Sequence, residues 1–294
     1  MRTLLALLVP VLASAAVRSD MLVSTEWLAS HLKDPNVVVI QISRERGLWE
    51  AGHIPGARFV ALSEIAITKN GIPNELPPAQ DLERIFERAG VNDDSRVIVY
   101  TDAAVLPATR AWFTLDYLGH GPHTSLLDGG LQKWRAEKRA ISTDTPVVAT
   151  GRFTVFPRAR VMADMSEVNA LSFATLHAPP VPPTVLLDAR AAEDFTGSRP
   201  NAELTRYGHI PGAVNLFWMT TQVKDSSALL PEAELRKMYE GVGVTPDRAV
   251  VTYCNSGMQA SQAYFTLKYL GYDTKLYDGS LSEWSAATNT SVAK

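Results

Sequence analysis

The sequence predicts an α/β protein built as two tandem copies of one domain, each a mainly parallel sheet flanked by helices. Short apolar, β-branched runs alternate with helical-period stretches, the order expected of a sheet covered on both faces. Three blocks also occur twice: GHIPGA at residues 52–57 and 208–213, AWFTLDYLG at 111–119 against AYFTLKYLG at 263–271, and DGGLQKW at 128–134 against DGSLSEW at 278–284. They keep their order, while the spacing between copies falls from 156 residues (His53 to His209) to 150 (Trp134 to Trp284), as in a duplicated domain with small insertions. A chain of 294 residues can bury two cores of ordinary domain size.

Residues 1–20 begin with Met1 and Arg2, then an almost wholly apolar run at 4–12, then Ala13, Ser14 and Ala15 in the small-x-small form of a signal-peptidase site. This predicts a secretory signal with a short tail, and so an exported protein, periplasmic or secreted. The run is too short for a membrane span, which needs ~20 apolar residues. Residues 21–141 form the first domain, with helices at 25–32, 81–89 and 112–118 and buried strands at 37–42 and 97–100; Leu82, Ile85 and Phe86 share one helical face. Residues 142–160 contain Thr143, Thr145, Pro146, Gly151 and Pro157 with little periodicity and read as a linker over the surface. Residues 161–294 form the second domain, with strands at 185–188 and 249–253 and helices at 232–239 and 258–270, the last stopped by Gly271. A net charge of −3 gives no reason to expect a nucleic-acid or membrane partner. With one cysteine there is no internal disulfide, so stability must come from the cores.

The chain is organised around residues 248–271, which read as strand, tight loop and helix. Cys254, the one cysteine, sits where strand meets helix. The first helical N–H groups lack intrahelical partners and carry the positive end of the dipole, so the thiolate is favoured and a lowered thiol pKa is expected. Gly257 lets the loop turn, and the N–H groups of Asn255, Ser256, Gly257, Met258 and Gln259 are expected to converge on the sulfur as an anion cradle. A buried core cysteine is the competing reading, and the donor-lined loop weighs against it. His53 and His209 lie in a Pro-Gly turn present in both halves, including the half without a cysteine, and read as structural. No cluster of His, Cys or carboxylates has metal-ligand spacing, and no metal or cofactor is expected. Glu232 with Glu234 and Asp93 with Asp94 read as helix-start and turn residues. A phosphatase loop would close with an arginine six positions past the cysteine; position 260 is alanine, and residues 255–261 carry no Arg or Lys.

Taken together, the duplicated GHIPGA block, the DGG/DGS block ahead of a tryptophan, and a lone cysteine opening a six-residue loop resemble the tandem-domain rhodaneses, the thiosulfate and 3-mercaptopyruvate sulfurtransferases, over residues 21–287. The resemblance implies a catalytically silent first domain, and Thr101 follows Tyr100 where Cys254 follows Tyr253. It also implies ping-pong sulfur transfer: the Cys254 thiolate takes sulfane sulfur from a small-molecule donor, holds it as a persulfide, and passes it to cyanide or another thiophilic acceptor.

The loop departs from both donor patterns. Thiosulfate-type loops carry basic residues after the cysteine, and this one is neutral. Ser256 followed by Gly257 resembles the mercaptopyruvate type. The acidic residue that type has soon after the first GHIPG turn is missing from Val60, Ala61, Leu62 and Ser63, and Asp194 stands where an arginine is often found. Replacement cations are expected at the cleft mouth among Arg44 and Arg46 after the first-domain strand, Arg190 at the corresponding second-domain strand, and Arg199 in the loop before the second turn, with Arg44 and Arg190 favoured. Arg190 reads equally as a structural ion-pair residue, and Leu106 and Pro107 as an apolar wall. Thiosulfate is the expected donor, with 3-mercaptopyruvate as the alternative. A sulfur carrier that loads without turning over is the non-enzyme reading.

Overall fold

The computed structural model describes residues 16–177 and 183–294, so the signal segment expected at 1–15 lies outside the described residues. The first half runs β1 (Leu22–Val23), α1 (Thr25–His31), β2 (Val37–Ser43), α2 (Arg46–Glu50), β3 (Arg58–Ala61), α3 (Leu62–Ile65), the hairpin β4 (Ile67–Lys69) and β5 (Ile72–Glu75), α4 (Ala79–Arg88), β6 (Arg96–Tyr100), α5 (Leu106–Tyr117), β7 (Thr124–Leu127) and α6 (Gly130–Ala136). The second half runs β8 (Met162–Ala163), α7 (Met165–His177), β9 (Thr184–Asp188), α8 (Ala192–Phe195), β10 (Val214–Asn215), α9 (Glu232–Gly241), β11 (Ala249–Tyr253), α10 (Met258–Tyr269), β12 (Thr274–Tyr277) and α11 (Ser280–Ala286). Every neighbouring pair in the two sheets is parallel, in the orders β1-β7-β6-β2-β3 and β8-β12-β11-β9-β10. The second order repeats the first, strand for strand.

Each repeated block has a structural task. In the GHIPGA turns, the Ile54 N–H donates to the Tyr100 hydroxyl and the Ile210 N–H to the Tyr253 hydroxyl, both at 3.1 Å, which fixes each turn to the end of a central strand. The histidine rings lie flat on aromatic neighbours, His53 on Trp49 at 4.1 Å and His209 on Phe195 at 3.7 Å. Each Nδ1 donates to the backbone carbonyl of that same neighbour, at 2.8 and 2.9 Å. Both histidines are buried anchors, far in role from any reacting group.

The AWFTLDYLG and AYFTLKYLG blocks lie in α5 and α10, which pack against each other and join the halves. The Thr109 and Ser261 hydroxyls meet at 3.3 Å, the rings of Phe113 and Tyr264 meet edge to face at 5.1 Å, as do those of Trp112 and Phe265, and the Tyr264 hydroxyl donates to Asp116 Oδ2 at 2.6 Å. These helices are buried nearly all round because each is sandwiched between its own sheet and the other helix. A single hydrophobic cluster accordingly runs through both halves, and each sheet carries a smaller cluster on its outer face. The helix expected at 112–118 begins at Leu106, because Pro107 in the first turn is compatible with helix initiation.

Residues 142–160 follow the first half. Phe153 is buried edge to face against Phe86 and His120, and Gly151 donates to the Glu87 carbonyl at 2.8 Å.

Candidate functional site

Cys254 sits at the carboxyl end of β11 and is 1% exposed. The chain turns at Gly257, whose φ of +80° is left-handed, and α10 begins at Met258. The N–H groups of Ser256, Gln259 and Ala260 point to the sulfur, while the Gly257 N–H goes instead to Ser280 Oγ at 3.1 Å. The Ser280 hydroxyl also accepts from the Cys254 N–H at 3.2 Å and donates to the Tyr277 carbonyl at 2.8 Å. Leu281 and Ser282 donate to the Cys254 and Asn255 carbonyls. The loop is therefore held from below by the start of α11, and of the five N–H groups expected to converge on the sulfur those of Ser256 and Gln259 do so, joined by Ala260, while Gly257 is diverted to Ser280.

The thiol pKa moves opposite to the sequence expectation. Burial pushes it up, the three N–H groups pull it back, and Asp188 adds to the rise. The helix end alone predicts a lowered value. Complete burial of Sγ outweighs it, because forming an anion out of contact with water is costly.

The first domain completes the site. A cavity of about 340 Å³ is lined on one side by Cys254, Asn255, Ser256, Met258, Gln259 and Glu203, and on the other by Arg44, Pro73, Asn74 and Leu106. Asn74, from the β4–β5 hairpin, donates through Nδ2 to Ser256 Oγ at 2.8 Å. Arg110 of α5 is fully buried, pairs with both carboxylate oxygens of Asp278 at 2.5 and 3.0 Å, and donates to the Asn74 carbonyl at 2.5 Å. Asp278 Oδ2 also accepts from the Leu76 N–H at 3.1 Å. In the other half, Asp128 Oδ1 accepts from the Leu229 N–H at 3.1 Å, so each aspartate of the DGG/DGS pair reaches into the opposite domain. Beside this clamp, burial and then Asp278 push the Glu75 carboxyl up to about 7.

The candidate arginines separate. Arg44 lines the Cys254 cavity, is exposed, and makes no hydrogen bond or ion pair among the described residues. Arg190 is buried. Its Nε donates to Asp188 Oδ1 at 2.9 Å and its Nη2 to Asp188 Oδ2 at 2.5 Å and the Gly208 carbonyl at 2.7 Å, with a 3.3 Å contact to Asn255 Oδ1. Burial opposes its charge, and Asp188 more than offsets this, so its pKa lies above the ordinary value. Arg199 is exposed and paired with Asp194 outside the cavity.

Arg44, Leu106 and Met258 also line a neighbouring cavity of about 340 Å³, walled by Leu48, Pro107 and the loop that follows β6 at Thr101. A larger cavity of about 660 Å³ faces the loop between β6 and α5 at Ala103 and Ala104 and contains no cysteine. Reasoning from sequence missed Asn74, Arg110, Asp278 and Ser280. Ser280 had a signal: it interrupts the DGG/DGS repeat, at a φ of +51° that Gly130 adopts in the other copy at +54°.

Comparison with known proteins matches the rhodanese-like domain family to residues 24–137 and 174–287. The sulfur carrier protein TtuD of Thermus thermophilus is 31% identical over 284 residues, covering 94% of this chain and 97% of that protein. The thiosulfate sulfurtransferase of Pseudomonas aeruginosa is 31% identical over 270 residues, covering 90% and 94%. The crystal structure of the Escherichia coli 3-mercaptopyruvate sulfurtransferase SseA superposes with a TM-score of 0.77 at 28% identity, covering 88% of this chain and 98% of that one.

Proposed function

This chain belongs to the rhodanese-like domain family, as two copies in tandem, and from that premise we propose a rhodanese-type sulfurtransferase that draws its sulfur from thiosulfate. The observation that carries the reading is Cys254 under three loop N–H groups in a cavity with Arg44 at its wall. The Cys254 thiolate attacks the outer sulfur of thiosulfate, the S–S bond breaks, and sulfite leaves with the electron pair. Arg44 meets the departing anion, and the Ser256, Gln259 and Ala260 N–H groups stabilise the persulfide anion in the position the thiolate held. A thiophilic acceptor such as cyanide then takes the outer sulfur and returns the Cys254 thiolate.

Donor choice follows from the partner of Ser256. Its hydroxyl is hydrogen-bonded to Asn74, an amide that neither gives nor takes a proton near neutral pH. Mercaptopyruvate leaves as an enolate that needs a proton, whereas sulfite needs none. Thiosulfate therefore suits this cavity better. The test is kcat/KM for both donors on wild type and Ser256→Ala. Thiosulfate preferred in both proteins, with less than about a threefold change in the variant, agrees with the proposal. A preference for mercaptopyruvate that collapses in Ser256→Ala overturns it. Single loading of sulfur without turnover on any acceptor would assign a carrier role instead.

We propose export as well, on the apolar run at 4–12 and the Ala13-Ser14-Ala15 site. N-terminal sequencing of the protein recovered from its native host tests it: a start just after Ala15 agrees, and an intact Met1 contradicts.

A further inference from the structure

Away from the cleft, α2, β3, the end of α4 and the linker enclose a recess of about 190 Å³, into which Arg46, Arg58 and Arg88 all face. Arg58 is the anomaly there. It is half-buried, its Nε is out of contact with solvent, and it makes no hydrogen bond or ion pair among the described residues. Burial lowers its pKa, and no carboxylate offsets the effect. A guanidinium partly withdrawn from water without a counter-ion carries a desolvation cost that an arriving anion would offset.

The other two arginines are positioned around it. The Arg46 guanidinium lies over the rings of Trp49 at 5.3 Å and Phe59 at 5.5 Å, with Nε donating to Glu50 at 2.9 Å. Arg88 is paired with Glu64. Both pairs are exposed, so they are weak and leave other N–H donors available to a ligand. Donors thus approach from three sides, whereas a carboxylate presents its acceptors in one plane. The volume is below the ~300 Å³ of ordinary organic-ligand pockets. At ~30 Å³ per water it holds about six, the space of one oxyanion with part of its hydration shell.

We propose that this recess binds a small tetrahedral dianion such as sulfate or phosphate, with Arg58 as its central cation and Arg46 and Arg88 as its flanks. The site is independent of the donor reading, since it contains neither the cysteine nor Arg44. It has a structural consequence for the cleft: Arg46 opens α2 two residues after Arg44, so an anion held there fixes the segment that presents Arg44.

The test is thermal melting of the full chain carrying Arg44→Ala, so that the cleft has lost its cation, titrated with sodium sulfate or phosphate at constant ionic strength in chloride. The expected result is a saturable rise of roughly 2 °C for either dianion at about tenfold its Kd. Adding Arg58→Met should raise the melting temperature in chloride and abolish the dianion response, because a hydrophobic residue replaces an unpaired, half-buried charge. Arg88→Gln should weaken apparent sulfate affinity several-fold while keeping the response. No dianion response in the parent, an undiminished response in Arg58→Met, or an equal response to acetate would each overturn the assignment.

Discussion

Alanine at position 257 probes how tightly the loop is built into the domain interface. Gly257 has a φ of +80°, where any side chain costs about 1 kcal/mol. A β-carbon there would lie 2.5 Å from Asp278 Oδ1 and 3.1 Å from Arg110 Nη1. Asp278 cannot step aside easily, because both its oxygens are held by Arg110 and one also by the Leu76 N–H. Breaking a buried pair outright costs about 3–5 kcal/mol, and displacing it by a fraction of an ångström costs about a third of that. The total expected for Gly257→Ala is about 2–3 kcal/mol of stability. The same displacement moves the Ser256 and Gln259 N–H groups off the sulfur, and misplacing one oxyanion donor costs about 10²–10³ in kcat. The assay pairs urea unfolding with thiosulfate–cyanide turnover below the unfolding transition. A variant within about 0.5 kcal/mol of wild type that turns over normally would refute both the clamp and the cradle.

Arg44→Ala should lower kcat/KM for thiosulfate about ten- to hundred-fold, from the loss of one charge-assisted hydrogen bond, while Arg199→Ala should stay within about twofold; equal effects in steady-state kinetics would remove Arg44 from the anion site. Glu75→Gln concerns pH. The folded-state pKa of about 7 exceeds the ordinary 4.5, so the folded protein holds this proton longer than the unfolded chain, and the stabilisation is complete below about pH 4.5 and lost as pH rises through 7. Because the carboxyl is partly open to water, the expected effect is reduced to roughly 1 kcal/mol, with the glutamine variant the more stable at pH 8 and the gap closing by pH 5. Melting curves at the two pH values check this, and parallel behaviour of the two proteins would refute it.

The repeats and the strand–loop–helix around Cys254 were legible because they are local: a hydrophobic period, a glycine, and a block seen twice. The short strands β1, β3, β7, β8, β10 and β12 escaped because two to four residues carry no period of their own. The β4–β5 hairpin escaped because its Pro73 and Asn74 read as loop, and its partner is the other domain rather than its own sheet. Arg110 and Asp278 are 168 residues apart, and nothing in either neighbourhood names the other. A faint trace existed in Arg110, a charged residue on a helix buried nearly all round, since such a residue must find a buried partner. The thiol pKa departs from expectation for a related reason: the helix end is visible in sequence, and the burial of Sγ is not. Arg190 lies two residues past the end of β9, and its guanidinium turns back to Asp188, a choice that depends on three-dimensional packing.

The central claim is that Cys254 carries the sulfur. Intact-protein mass spectrometry after exposure to thiosulfate and removal of excess donor tests it most directly, on wild type and on Cys254→Ser. Wild type should gain the mass of one sulfur atom and lose it on addition of cyanide, with thiocyanate released in equal amount, while the serine variant, folded as judged by its melting curve, gains nothing. Sulfur loading or turnover retained in Cys254→Ser would contradict the account.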